Sequence, residues 1–167
     1  MAQLNDIIQW CDQTLKAKEF KDYAPNGLQI EGRTEVKKIL AAVTASQEAI
    51  DAAIAQGADL LLVHHGYFWK GEAYPITGMR GKRIKSLIQN DISLVGYHLP
   101  LDSHPTLGNN AAIADLLELE NIEALDPSER HPIGNIGYLK APMSPEAFQA
   151  FASERLKFNA LHLPTDK

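Results

Sequence analysis

The sequence predicts an α/β fold: a mainly parallel sheet with flanking helices, followed by a second α/β lobe that is begun but incomplete. Two observations carry this. Short, largely apolar stretches at 39–43, 59–63 and 92–97 have the length and composition of strands, the first two read as buried. Stretches of helical periodicity separate them, and strands alternating with helices of about ten residues signal βαβ units with right-handed crossovers.

Leu4, Ile7, Ile8, Cys11 and Leu15 recur at helical spacing, which predicts an amphipathic helix over 4–17 with Cys11 on its buried face as inert core. Asp22-Tyr23-Ala24-Pro25-Asn26-Gly27 carries turn chemistry. The strand at 39–43 should be buried on both faces. Thr44 and Ser46 offer a cap for a helix bearing Ile50, Ala53 and Ile54, and Gly57 ends it before the strand at 59–63. His64 and His65 stand where that strand stops. A long aromatic, glycine-containing loop over 66–79 leads to a basic-faced helix marked by Ile84, Leu87 and Ile88, and then to the strand at 92–97, which His98 ends. Beyond a loop with two prolines, Asn109 or Asn110 can cap a helix whose apolar face is Ile113, Leu116 and Leu117. The polar connector at 126–132 divides a metal-site lobe, 1–130, from the start of a second lobe, 131–167, with a strand at 133–139. Ser144-Pro145-Glu146 then opens a helix bearing Phe148, Phe151 and Leu156, and a further strand is expected to begin at 160–163.

Composition excludes several classes of function. The 167 residues are 45% hydrophobic and 22% charged, which supports a packed core and argues against disorder. Sixteen basic against twenty-one acidic side chains give a net charge of -5, so bulk attraction to nucleic acid or anionic membrane is not expected. One cysteine allows neither an internal disulfide nor a Cys-rich zinc module. The N-terminus lacks the basic start and apolar stretch of a secretory signal, and every apolar run is far shorter than the ~20 residues of a membrane helix. A cytoplasmic protein is expected.

Ligands of parallel α/β sheets gather outside the carboxyl ends of the strands, where His64, His65, His98 and Asp102 all fall. Neutral imidazole with carboxylate suits divalent zinc, manganese, iron or nickel. Consecutive strand residues point to opposite faces, so His64 and His65 serve one metal only if the backbone turns sharply, as Gly66 would permit; two metals, one per histidine, are equally natural. His104, His131 and His162 lack such placement. Arg80, Lys82, Arg83 and Lys85 read as the solvated face of a helix, and Tyr67, Phe68 and Trp69 as a hydrophobic lid or oligomer contact rather than a base-stacking platform. No phosphate-binding glycine fingerprint or nucleophile elbow is present.

Asn26-Gly27-Leu28-Gln29, Val63-His64-His65-Gly66-Tyr67-Phe68-Trp69-Lys70-Gly71, and His98-Leu99-Pro100-Leu101-Asp102 followed by Gly108-Asn109-Asn110 together resemble the NIF-three-like dinuclear-metal family, also called the GTP cyclohydrolase I type 2 family. The match runs through residues 1–120 and weakens beyond 130. The resemblance implies a ring-like homohexamer with up to two divalent metals per subunit, His64, His65 and Asp102 as ligands, and His98 beside the metals as the candidate acid–base group. It also implies a metal-dependent hydrolase that opens the purine ring of GTP or acts on a related nucleotide. A metal-binding hexameric scaffold without turnover is the alternative. Family members run to roughly 250 residues or more, a size usual for two lobes, and complete the site with a His and a bridging Glu near their C-terminus; the present sequence stops before that segment. Fewer ligands predict at most one tightly held metal per chain.

Overall fold

The structure, a computed structural model, describes residues 1–164 and divides into two compact units, Met1–Leu101 and Asp102–Lys167. The first unit runs β1 (Ala2–Gln3), α1 (Leu4–Leu15), a 3-10 turn (Ala17–Glu19), β2 (Gly27–Ile30), β3 (Glu35–Val36), β4 (Ile39–Thr44), α2 (Gln47–Ala55), β5 (Leu60–His65), α3 (Gly78–Gln89), β6 (Ser93–Gly96) and the start of a one-turn α4 (Leu99–Asp102). Strands β1 and β3 form a small antiparallel pair, and the main sheet has the order β2-β6-β5-β4. Its β4, β5 and β6 are parallel, as the sequence predicts, whereas β2, a strand the sequence reading did not predict, adds antiparallel to β6 directly after the expected turn at 22–27.

Period-two alternation builds a core on each face of this sheet. Leu61, Val63 and Leu94 pack with Ile50 and Ala53 of α2 and with Ile84 and Leu87 of α3. Leu60 and Val95 face the other way, onto Leu4, Cys11 and Leu15 of α1. Each fully buried Leu, Ile or Val contributes about 1.5–3 kcal/mol, so these rows fix the sheet between its helices. Burial pushes the Cys11 thiol upward, in keeping with an inert core position. Strand β4 departs from expectation: Leu40 and Ala42 pack on the α2 core, but Ile39 and Val43 are exposed, Val43 by 69%. An apolar run does not distinguish a central strand from an edge strand, and β4 is the edge.

The second unit holds α5 (Asn109–Leu116), an antiparallel hairpin of β7 (Leu119–Ala124) and β8 (Asn135–Leu139), and α6 (Pro145–Leu156). The polar segment at 126–132 is the hairpin loop. Strand β7 has no alternating pattern because its pairing is bulged between Glu120 and Glu123, with Asn121 at φ +51. Ser144 caps α6 as predicted, accepting from Ala147 N, but Gly108, rather than an asparagine, is the N-cap of α5. Residues 160–163 form no strand. The amide of Ala160 donates to Ser153 Oγ and its carbonyl accepts from Gln149 Nε2, so α6 side chains take the bonds that a ladder would need. Among the described residues, no helix is long and apolar enough to cross a membrane.

Asp59, its side chain 8% exposed, ties the start of β5 to the β3–β4 connection by accepting from Lys37 N at 2.8 Å, Lys38 N at 3.0 Å and Arg33 Nη1 at 3.0 Å. The Lys37 amide above all, then that of Lys38 and the Arg33 guanidinium, hold its carboxyl below the usual range against the opposing effect of burial. Asp59→Ala should therefore lose about 2–3 kcal/mol in urea unfolding at pH 7, chiefly through the two stranded amides. A lowered folded-state pKa means that this stability is present above the unfolded value of about 4 and is lost as pH falls through the folded value. The gap between wild type and variant should accordingly shrink below about pH 4; a gap constant down to pH 2 would contradict the assignment.

Candidate metal centre

Strands β5 and β6 run parallel in the register Leu60↔Ser93 to Val63↔Gly96. Carried past the last pair, that offset sets His64 beside Tyr97 and His65 beside His98, at the carboxyl edge of the sheet. His64, His65 and His98 each bring one ring nitrogen to within 4.8 Å of the others, a group that could hold a metal ion. Their ring centroids lie 4.3, 5.0 and 5.7 Å apart. The two adjacent histidines thus converge rather than face opposite sides, each leaning on a different neighbour in the sheet.

For two of the three neutral rings, those neighbours fix which nitrogen carries the proton. His64 Nδ1 lies 2.9 Å from Tyr97 O, and a carbonyl only accepts, so the proton is on Nδ1 and the lone pair on Nε2. His98 Nδ1 lies 2.7 Å from Asp22 Oδ1. Burial pushes the Asp22 carboxyl up, but hydrogen bonds from His98, Asn26 and the amides of Leu99 and Tyr23 outweigh it and hold the group below the usual carboxylate range. Ionised, Asp22 only accepts, and the His98 lone pair is again on Nε2. His65 Nδ1 pairs with Thr44 Oγ1 at 3.2 Å, a hydroxyl that serves either role. His104 is the contrast: its Nδ1 accepts from Thr106 N and Leu107 N, which closes a local turn.

The 66–79 loop closes over this edge. Tyr67 is not a free apolar surface: it is buried and donates its hydroxyl to Ala45 O, and burial pushes its pKa up to about 12. Trp69 sets its ring edge-on to His98 at 4.8 Å and donates Nε1 to Gly66 O. Arg80 is spent on the loop itself, donating to Glu72 and to the carbonyls of Ala73 and Pro75. Asp102, the remaining residue singled out from the sequence, begins the second unit and accepts from Asn109 Nδ2 at 2.9 Å.

Sequence reasoning assigned no role to Gln29. A bulge between Leu28 and Ile30 turns its side chain to the sheet edge, where Oε1 accepts from Tyr67 N at 2.7 Å and Nε2 donates to Pro25 O at 2.9 Å. The amide fills the space beside Gly66 and Gly96, where a Cβ would stand 2.1 Å and 2.9 Å from it. Close approach, not a positive φ, is what requires glycine at 66.

A family model, Duf34/NIF3 (NGG1p interacting factor 3), matches residues 2–167. The GTP cyclohydrolase 1 type 2 homolog of Haemophilus influenzae is 56% identical over 144 residues, 86% of this chain and 57% of that protein. Its namesake in Pseudomonas aeruginosa is 46% identical over 153 residues, 92% and 61% of the respective chains. The chain therefore spans about three-fifths of the length of these relatives. Among solved structures, the structural-genomics protein ybgI, of unknown function, is similar at TM-score 0.89 and 43% identity over 96% of this chain and 63% of that one. Reduced HcgD from Methanocaldococcus jannaschii is similar at TM-score 0.77 and 29% identity over 92% and 60%.

The packing at Gly66 yields a test. Gly66→Ala must expel the Gln29 amide from its bonds to Tyr67 and Pro25, and should cost about 1–3 kcal/mol in urea unfolding. In a Gln29→Ala background the obstruction is gone, so the same substitution should cost much less. Equal costs in both backgrounds would show that Gln29 does not set this turn.

Proposed function

The chain belongs to the DUF34/NIF3 family, and from that premise we propose that its histidine cluster binds a divalent metal and that the protein is a metal-dependent hydrolase of GTP or a related nucleotide. The observation that carries the reading is a trio of imidazoles gathered within 4.8 Å, two of them fixed by their Nδ1 partners with the lone pair on Nε2. This donor set fits the group: neutral imidazole suits zinc, manganese, iron and nickel, and an outer acceptor on the second nitrogen orients the ring and raises its basicity. A divalent cation bound there supplies a Lewis acid and, with water, a nucleophile active near neutral pH.

The chain's own residues do the rest. Tyr97 O and Asp22 hold their rings in place, Asp22 sets a negative charge against His98, and the Trp69 indole shields one side of that ring from water. Asp102 as a further ligand, and a second metal, rest on the sequence motif alone. GTP as substrate is suggested by the relatives' names, and the homohexamer by the family resemblance. His98 is assigned as the third ligand. Its other use, as an acid–base group beside the metal, is favoured by its 2.7 Å contact with Asp22 and is separable by experiment.

After equilibrium dialysis against zinc or manganese, the chain should retain metal. His64→Ala, His65→Ala and His98→Ala should each weaken binding by more than the about 10–100-fold that loss of an outer partner costs. A His98→Ala protein that keeps its affinity but loses turnover would instead make His98 the acid–base group. Release of formate from GTP would support ring opening, and release of phosphate a phosphoester reaction. Metal bound with neither product would favour the scaffold reading, and no retained metal would overturn the proposal.

A further inference from the structure

Asp22 belongs to no helix or strand, yet its side chain is only 3% exposed. A carboxylate so placed is tolerated only when its oxygens are saturated with donors, and here they are. Oδ1 accepts from His98 Nδ1 at 2.7 Å and from Tyr23 N at 2.5 Å, with Ala24 N at 3.4 Å. Oδ2 accepts from Leu99 N at 2.8 Å and Asn26 Nδ2 at 2.9 Å. Asn26 Oδ1 in turn accepts from His98 N at 2.8 Å. His98 is therefore gripped at its backbone and at its ring by a segment 72 to 76 residues earlier in the chain. The two oxygens divide the labour: Oδ2 fastens the turn that follows β6, whereas the bond from Oδ1 to the ring is not needed for that purpose.

We propose that Asp22 is a positioning residue for His98: its carboxylate, oriented by Asn26, holds the imidazole in the tautomer and plane that present Nε2 to a divalent cation. This rests on the metal-binding reading above. Asparagine cannot substitute. Backbone donors face both oxygens, Tyr23 N on the Oδ1 side and Leu99 N on the Oδ2 side, so an amide at 22 must set its NH2 against one of them; keeping its oxygen on the pair Leu99 N and Asn26 Nδ2 turns that NH2 toward His98 Nδ1. That nitrogen would have to accept, and the proton would move to Nε2, where it blocks coordination.

The test compares wild type with Asp22→Asn and Asp22→Ala, using long-range proton–nitrogen NMR of the histidine rings in metal-free protein at a pH where imidazole is neutral. Wild-type His98 should be protonated on Nδ1. Asp22→Asn should shift the proton to Nε2, Asp22→Ala should give a mixture, and His64 should be unchanged in both. Zinc and cobalt affinities should fall about 10–100-fold in each variant, with backbone spectra still those of the folded chain. Wild-type His98 protonated on Nε2 overturns the proposal without any variant having to fold. So do unchanged tautomer and affinity in Asp22→Asn. Failure of wild type to bind either metal is a different result, because it removes the metal reading while the ring measurement still reports on Asp22.

Discussion

The register of β5 on β6 is the constraint from which the site follows. The two strands pair at a constant offset of 33, and it is this offset that brings the end of one, His64 and His65, alongside Tyr97 and His98 at the end of the other. Core packing sets most of it, with Arg33 bridging Asp59 before β5 to the carbonyls of Asn90 and Asp91 before β6. Leu61, Val63 and Leu94 fill one core while Leu60 and Val95 fill the other, and a slip of one residue would put side chains of one strand out of phase with their neighbours on both faces. With about 1.5–3 kcal/mol for each buried aliphatic side chain, such a slip would consume most of the 5–15 kcal/mol by which domains are stable. Core packing well inside the sheet thus decides which histidines meet at its rim.

Rim geometry depends on a second set of contacts, each from a different element. Thr44 at the end of β4 meets His65, the Tyr97 carbonyl just after β6 meets His64, and Asp22 from an irregular segment meets His98. Tyr97 is itself anchored, since its hydroxyl donates to Asp12 Oδ1 at 2.7 Å on α1 and burial drives its pKa far upward. Rings held this way are oriented before any ligand arrives, which spares binding the cost of ordering them.

The strand ends were legible in the sequence because an apolar run that stops at a histidine marks both a buried strand and its exit; this locates His64, His65 and His98 without any family in view. Asp22 and Asn26 were legible as turn chemistry, and Gln29 only as part of a family motif. Their partners lie 38 to 77 residues away, and no local pattern reports a contact of that span. A β-bulge hid Gln29 just as another hid β7, because an extra residue breaks the period that announces a strand. Strand β4 read as fully buried because composition reports apolarity but not how many neighbours a strand has.

The claim that His64, His65 and His98 hold one cation together is tested most directly by X-ray absorption at the zinc edge of the zinc-loaded protein. The account predicts three imidazole nitrogens at about 2.0–2.1 Å, each identified by the outer-ring scattering of its imidazole, with one such contribution lost on His98→Ala. A zinc shell of oxygen donors without imidazole scattering would contradict it.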